Sequence, residues 1–206
     1  MATTSRGILY GRLAGFQVDV ARLREHYETM VARQPATPYH DNEANYVGWA
    51  VTSRDGSLSD GVKWIDPKSG GVPGRKATGI CSGALLETMR LLEARPVTPY
   101  RVRIMKLVND GAVMQWHTDS NNEWWRLHIP IITNASAFFE WKLAGGRVER
   151  VHLPADGSAW LVRVDVTHRA VNRSREPSER VHLLMGLSEL PTVEQIGPPL
   201  IQLKNS

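Results

Sequence analysis

Residues 100–108, YRVRIMKLV, alternate polar and apolar side chains. A period of two marks a strand with one face buried. Asn109, Asp110 and Gly111 follow as turn residues. The same texture recurs in VMQWH (113–117), RLHIPII (126–132), AFFEWKL (137–143), RVERVHL (147–153), SAWLVRV (158–164) and RVHLLMGL (180–187). Gly, Asn, Asp and Pro separate most of these runs. Many short strands divided by turns predict a sandwich or barrel, and a jelly roll of eight strands in two sheets is of this size.

Upstream of residue 100 the period changes. Residues 18–34 carry Val20, Leu23, Tyr27, Met30 and Val31 at helical spacing, with Asp19 as N-cap and Pro35 and Pro38 as the stop. Residues 82–95 predict a second helix, capped by Ser82, with Leu85, Leu86, Met89 and Leu92 inward and Pro96 beyond its end. NYVGWAVTS (45–53) reads as a short strand. SGGVPGRKATG (69–79) is a loop, either ordinary or a lid over a site. It fails the phosphate-loop pattern, because Arg75, Lys76 and Ala77 follow Gly74. The fold expected is mostly β with N-terminal helices. Residues 1–206 form one unit, with 1–99 as helical and edge-strand support and 100–190 as the jelly-roll core.

The chain has 206 residues, 42% hydrophobic and 22% charged, which excludes a disordered tail, a collagen-like chain and a disulfide mini-protein. Cys81 is the single cysteine, so no internal disulfide forms, in keeping with a reducing compartment. No apolar run approaches the roughly 20 residues that span a bilayer, and no secretory signal stands at the N-terminus. The chain therefore reads as cytoplasmic, with no membrane partner. Net charge is +4, carried by 19 Arg and 6 Lys against 21 acidic residues. The charges are interspersed, with no run of five like charges, so nucleic acid is not the expected partner and small anions suit the arginines better.

Chemistry concentrates at Trp116-His117-Thr118-Asp119. In extended chain, His117 and Asp119 project to one face. His168, in VDVTHRAV, stands 49 residues after Asp119. Two imidazoles and one carboxylate leave half of a metal's positions open, as in non-haem Fe(II) oxygenases. A bidentate 2-oxo acid and O2 would fill those positions. A structural zinc site would instead close its coordination, usually with cysteines. Arg180 opens the apolar strand RVHLLMGL, where an arginine is costly unless it meets an anion.

The stretches WHTDSNNEWWRLHIPIITN (116–134), GSAWLVRVDVTHRAVN (157–172) and RVHLLMGL (180–187) resemble the aspartyl/asparaginyl β-hydroxylase family, which includes enzymes similar to L-proline cis-4-hydroxylase. The resemblance runs from about Lys106 to Gly186. It implies a double-stranded β-helix and hydroxylation coupled to oxidative decarboxylation of 2-oxoglutarate. It also implies that His117, Asp119 and His168 hold Fe(II), that Arg180 pairs with the distal carboxylate of 2-oxoglutarate, and that Arg126 and His128 add cosubstrate contacts. The spacing from His168 to Arg180 is twelve, so Arg175 is the alternative; Arg180 is preferred because Arg175 sits in a polar turn.

Lys106 is a further candidate for the same anion. Trp124 and Trp125 either wall a substrate pocket or simply pack. Asn172 either orders the loop after His168 or holds substrate. Arg169 would project away from His168. The substrate expected is a small amino acid or short peptide, free or tethered to a carrier protein. The alternative is a non-catalytic cupin-like protein that binds a metal or anion in the same pocket.

Overall fold

A computed structural model of the chain describes residues 8–40, 45–63, 74–108, 112–119, 125–175, 178–189 and 191–202. The turn Asn109–Gly111, Trp124 and residues 69–73 of the proposed loop fall outside these.

Two antiparallel sheets form the core. The larger contains β1 (Ile8–Leu13), β2 (Thr37–Pro38), β3 (Tyr46–Ala50), β6 (Pro99–Leu107), β7 (Trp125–Ile132), β10 (Trp160–Arg163), β12 (Arg180–Leu187) and β13 (Ile196–Gln202). Its order is β13-β1-β10-β7-β12-β6-β3-β2. The smaller sheet is β11-β8-β9, from β8 (Ala137–Lys142), β9 (Val148–Val151) and β11 (His168–Asn172). The two-residue strands β4 (Thr52–Ser53) and β5 (Lys76–Ala77) pair apart from both, so the described end of the 69–79 loop is held as a short ladder.

The larger sheet is buried on both faces, and strand parity sorts its side chains. Val102, Ile104, Trp125, Leu127, Ile129, Leu161, Val181, Leu183 and Met185 face the helices in the main apolar cluster. Two smaller clusters line the interior between the sheets. One holds Tyr10, Phe139, Trp141, Trp160 and Val162. The other holds Tyr46, Ala50, Met105, Leu107, Ala170 and Leu184. This is the jelly roll the strand pattern predicts.

The helices cover the outer face. α1 (Val20–Val31) starts at Asp19, whose carboxylate accepts the Arg22 N–H at 3.1 Å, and buries Leu23, Tyr27 and Met30. α2 (Gly83–Glu93) buries Ala84, Leu85, Thr88, Met89 and Leu92. Ser82 occupies its N-cap, but the hydroxyl makes no capping hydrogen bond.

One expectation needs correction, and two features go beyond the sequence-based reading. Residues 113–117 do not form a ladder strand: Val113 and His117 make isolated bridges to Val171 and His168. The strands β1 and β13, absent from the sequence-based reading, extend the larger sheet beyond β10. Among the described residues β1 is the first element, and both helices follow it ahead of the strands β6–β13. The strand β6 also bulges. Its register to β12 shifts between Leu184 and Gly186, and Arg101 there adopts a left-handed φ of 49°. The bulge brings Tyr100 across Gly186.

Candidate metal centre

His117 and His168 face each other across a two-bond antiparallel bridge. The His117 N–H donates to the His168 carbonyl at 3.1 Å, and the His168 N–H returns the bond at 2.8 Å. The rings sit with centroids 4.3 Å apart. Asp119 is tied down by its own N–H, which donates to the Val164 carbonyl at 3.0 Å. This pins the three side chains to the start of β11 even though His117 and Asp119 lie in no regular strand.

The imidazoles are oriented alike. His117 Nδ1 is 2.9 Å from the Gln115 carbonyl, and His168 Nδ1 is 2.9 Å from the Val166 carbonyl. A carbonyl only accepts, so each Nδ1 carries the proton and each Nε2 lone pair is left for a metal. Each Nε2 lies 3.9 Å from an Asp119 carboxylate oxygen, and one donor atom from each of the three residues lies within 4.8 Å of the others. Two nitrogens and one carboxylate converging at that spacing fit a six-coordinate Fe(II) with one face open. Burial pushes the His168 imidazole down to about 4, against the opposing pull of Asp119, so its lone pair is available at neutral pH. Burial raises the Asp119 carboxyl, but Arg126, His168 and His117 more than offset it and the net direction is down. Asp119 and His168 are thus in their metal-binding protonation states.

Beside the triad, the interior face of the larger sheet carries the arginines. Arg126 Nη2 meets Asp119 Oδ2 at 2.5 Å. His128, two residues on, is buried, and its Nδ1 lies 3.3 Å from His182 Nδ1. Burial, reinforced by Arg180, holds His128 and His182 well below the usual imidazole range, so both are neutral. Arg180 is 3% exposed, and burial alone lowers it to about 10. Its Nη2 and the Nε2 atoms of His128 and His182 have no hydrogen-bond partner among the described residues. Buried polar atoms without partners are rare, and three facing one interior suit a ligand with carboxylate oxygens such as 2-oxoglutarate. Arg175 is exposed in the turn before β12 and does not join this group.

Other sequence candidates are placed elsewhere. Lys106 has the parity of Val102 and Ile104, so it faces the helices and pairs with Glu179. Trp125 is 1% exposed in the main apolar cluster, on the helix side of β7. Asn172 is used up in its own loop: its Oδ1 accepts from Asn134 at 3.1 Å and its Nδ2 donates to the Ser178 carbonyl at 3.0 Å. Arg169 does point away from His168, to Glu140 at 2.8 Å and over the Trp116 ring. Residues to which sequence reasoning gives no role do reach the interior: Arg103 and His182 are buried there, with Tyr46.

A jelly roll holding an open His-Asp-His set and buried interior arginines defines a non-haem iron oxygenase that uses a 2-oxo acid. The family model for aspartyl/asparaginyl β-hydroxylase matches residues 74–189, more than half of the chain. The chain belongs to that family and is a 2-oxoglutarate-dependent dioxygenase, with Fe(II), 2-oxoglutarate and O2 as its cofactor and cosubstrates. Membership of an enzyme family favours catalysis over a merely metal- or anion-binding cupin-like protein.

Solved structures share the fold. A 2OG-Fe(II) oxygenase family oxidoreductase from Burkholderia pseudomallei aligns with a TM-score of 0.55 at 15% identity, covering 89% of this chain and 86% of its own. A prolyl-4-hydroxylase from Pseudomonas putida aligns at 0.50 and 14%, covering 89% and 94%. The epimerase SnoN from nogalamycin biosynthesis, described as non-heme and alpha ketoglutarate dependent, aligns at 0.52 and 12%, covering 90% and 79%. No curated protein matches the chain. Among the described residues, no helix is long and apolar enough to cross a membrane.

Proposed function

We propose that this chain, acting as one dioxygenase unit, hydroxylates an unactivated C–H of an amino acid or of an amino-acyl or peptidyl residue, with release of succinate and CO2. The observation that carries the reading is the convergence of His117 Nε2, His168 Nε2 and the Asp119 carboxylate beside a buried, anion-ready interior. Bound Fe(II) and 2-oxoglutarate supply the oxidising power for O2 activation. The chain's own residues do the rest. His117, Asp119 and His168 hold the metal on one face. Arg180 receives the distal carboxylate, and His128, packed on His182, lines the space between Arg180 and the metal ligands. The Asp119–Arg126 pair keeps the carboxylate ionised and aimed. The apolar clusters on either side of the interior keep bulk water out. The prolyl hydroxylase among the structural neighbours supports a small amino-acid or peptide substrate.

The test is an anaerobic titration with Fe(II) and 2-oxoglutarate, followed through the weak visible charge-transfer band of the chelate. A saturable band in the parent protein, lost in His168→Ala, is expected. Absence of the band in folded parent protein overturns the reading. An amino-acid panel scored for a mass gain of one oxygen then identifies the substrate. Full substrate-linked succinate formation by His117→Ala or Asp119→Ala would overturn the ligand assignment.

A further inference from the structure

The interior wall holds more positive charge than the metal site and 2-oxoglutarate account for. Among the described residues it carries three guanidiniums, Arg103, Arg126 and Arg180, and one carboxylate, Asp119. A divalent metal is balanced by the two carboxylates of 2-oxoglutarate. An excess of two positive charges then remains among the described residues of a largely buried wall. Buried charge without a counter-charge is costly, so an anion beyond 2-oxoglutarate is called for.

The three arginines are not equivalent. Arg126 is committed to Asp119. Arg180 stands four residues along β12 from Leu184, the register partner of both His128 and Arg103, which is roughly 13 Å of strand. Arg103 therefore shares the cross-sheet row of His128, at the metal end, on the side of β3 rather than β10. It is 2% exposed. Its acceptors are meagre: the Val62 carbonyl at 3.4 Å from Nη1 and the face of Tyr39 at 5.7 Å. Its Nε has no partner among the described residues. A guanidinium offers five N–H donors in a planar fork matched to a carboxylate. Tyr39 and Tyr46, packed edge to face at 5.2 Å, flank it with aromatic surface.

We infer that Arg103 is the anchor for a carboxylate of the primary substrate, so that the substrate is a small free amino acid with its carboxylate unmodified. This rests on the proposed dioxygenase function and narrows it. A carrier-bound aminoacyl thioester or a mid-chain peptide residue has no α-carboxylate to present to Arg103. With Arg180 committed to the distal carboxylate of 2-oxoglutarate, Arg103 is left to receive the substrate carboxylate from the β3 side of β6.

The test uses the Fe(II)- and 2-oxoglutarate-loaded full chain under anaerobic conditions. A panel of amino acids, each as free acid and as carboxamide, is titrated while the chelate band is watched for a substrate-induced shift; turnover is then scored as succinate. Free acids of at least one side-chain class are expected to shift the band, and their amides are not. In Arg103→Met the half-saturating acid concentration rises by about 100-fold or more, while 2-oxoglutarate affinity changes by less than about tenfold. Arg103→Lys, which keeps the charge and the fold, recovers part of the loss, and thermal melting shows that both variants are folded. In Arg180→Met the loss falls on 2-oxoglutarate instead. The inference is overturned if amides serve as well as acids, if no free acid shifts the band, or if Arg103→Met weakens 2-oxoglutarate as severely as Arg180→Met does. A parent protein that forms no chelate band defeats the dioxygenase reading itself, and is seen before any amino acid is added.

Discussion

Single atoms decide the geometry around the site, and Gly186 is the sharpest case. A Cβ there would stand 2.5 Å from Tyr100 Cζ and 2.8 Å from its hydroxyl oxygen. The Arg101 bulge brings that ring across the strand, and Gly186 pairs in register with Arg126. Gly186→Ala is therefore expected to displace Tyr100. The cost should be about 1 kcal/mol, at the low end for overpacking, because the half-buried ring has room to swing outward. Equilibrium urea unfolding measures it. Tyr100→Ala in the same chain should remove most of the penalty, since the clash needs both partners. An unchanged penalty in the double variant would place the strain in the backbone instead. The metal-facing histidines show the same economy: each Nδ1 is held by a carbonyl two residues upstream, so local chain conformation alone presents the Nε2 atoms.

At the scale of elements, β11 carries His168, and its outer face is fastened by one carboxylate. Glu140 on β8 is fully buried, with Arg169 at 2.8 Å, Arg173 at 2.8 Å and Arg150 at 3.9 Å. Burial raises the Glu140 carboxyl, but the hydrogen bonds from Arg173 and Arg169 outweigh it and the net direction is down. Glu140→Gln is expected to destabilise the chain by about 1–3 kcal/mol at pH 7, short of a fully buried pair because the arginines are partly exposed. A depressed carboxyl contributes stability above its unfolded value, near 4.5, and loses it as pH falls through the folded value. The gap between parent and variant in urea midpoint should thus be full at pH 6 and close in stronger acid. Much of this architecture was legible beforehand: both helices, most of the strands, and His117 and Asp119 on one face follow from period and spacing, while the family resemblance adds His168 to them. The placing of Lys106 and Arg103 has a physical cause. Alternation in YRVRIMKLV suggests a strand with one wet face, whereas both faces of β6 are buried. Lys106 was therefore assigned to the site and Arg103 overlooked, though Met105 and Leu107 share the parity of Arg103 and betray a second apolar face. The short strands β1 and β13 join the sheet by pairings far apart in sequence, which local pattern does not contain.

At the scale of the whole molecule, the interior has been built to exclude protons as well as water. His128, His168 and His182 are all buried and all shifted below 6.5, His168 to about 4. The unfolded chain takes up protons at these side chains near pH 6.5, while the folded chain does not. Their neutral burial is therefore fully tolerated above pH 6.5, and stability is lost as pH falls from there toward the folded values. Each group contributes up to about 1.4 kcal/mol per pH unit in that window, so three together amount to roughly 4 kcal/mol per unit. Against a typical total of about 5–15 kcal/mol, the metal-free protein should unfold within roughly one to four units of acidification. His182→Gln tests the origin of the effect, because it keeps a hydrogen-bonding group beside His128 and cannot titrate. The slope of unfolding free energy against pH between 6.5 and 5 should drop by about one proton in that variant. Metal adds a second dependence of the same sign. At 100 times its dissociation constant it should stabilise the chain by about 2.7 kcal/mol at pH 7.5, and chelator should remove that increment. Because the metal needs the same lone pairs the protons seek, its increment must shrink in acid, steepening the loaded protein's acid limb relative to the metal-free one. Parallel limbs for loaded and metal-free protein would mean that the stabilising metal is bound elsewhere than at His117, Asp119 and His168.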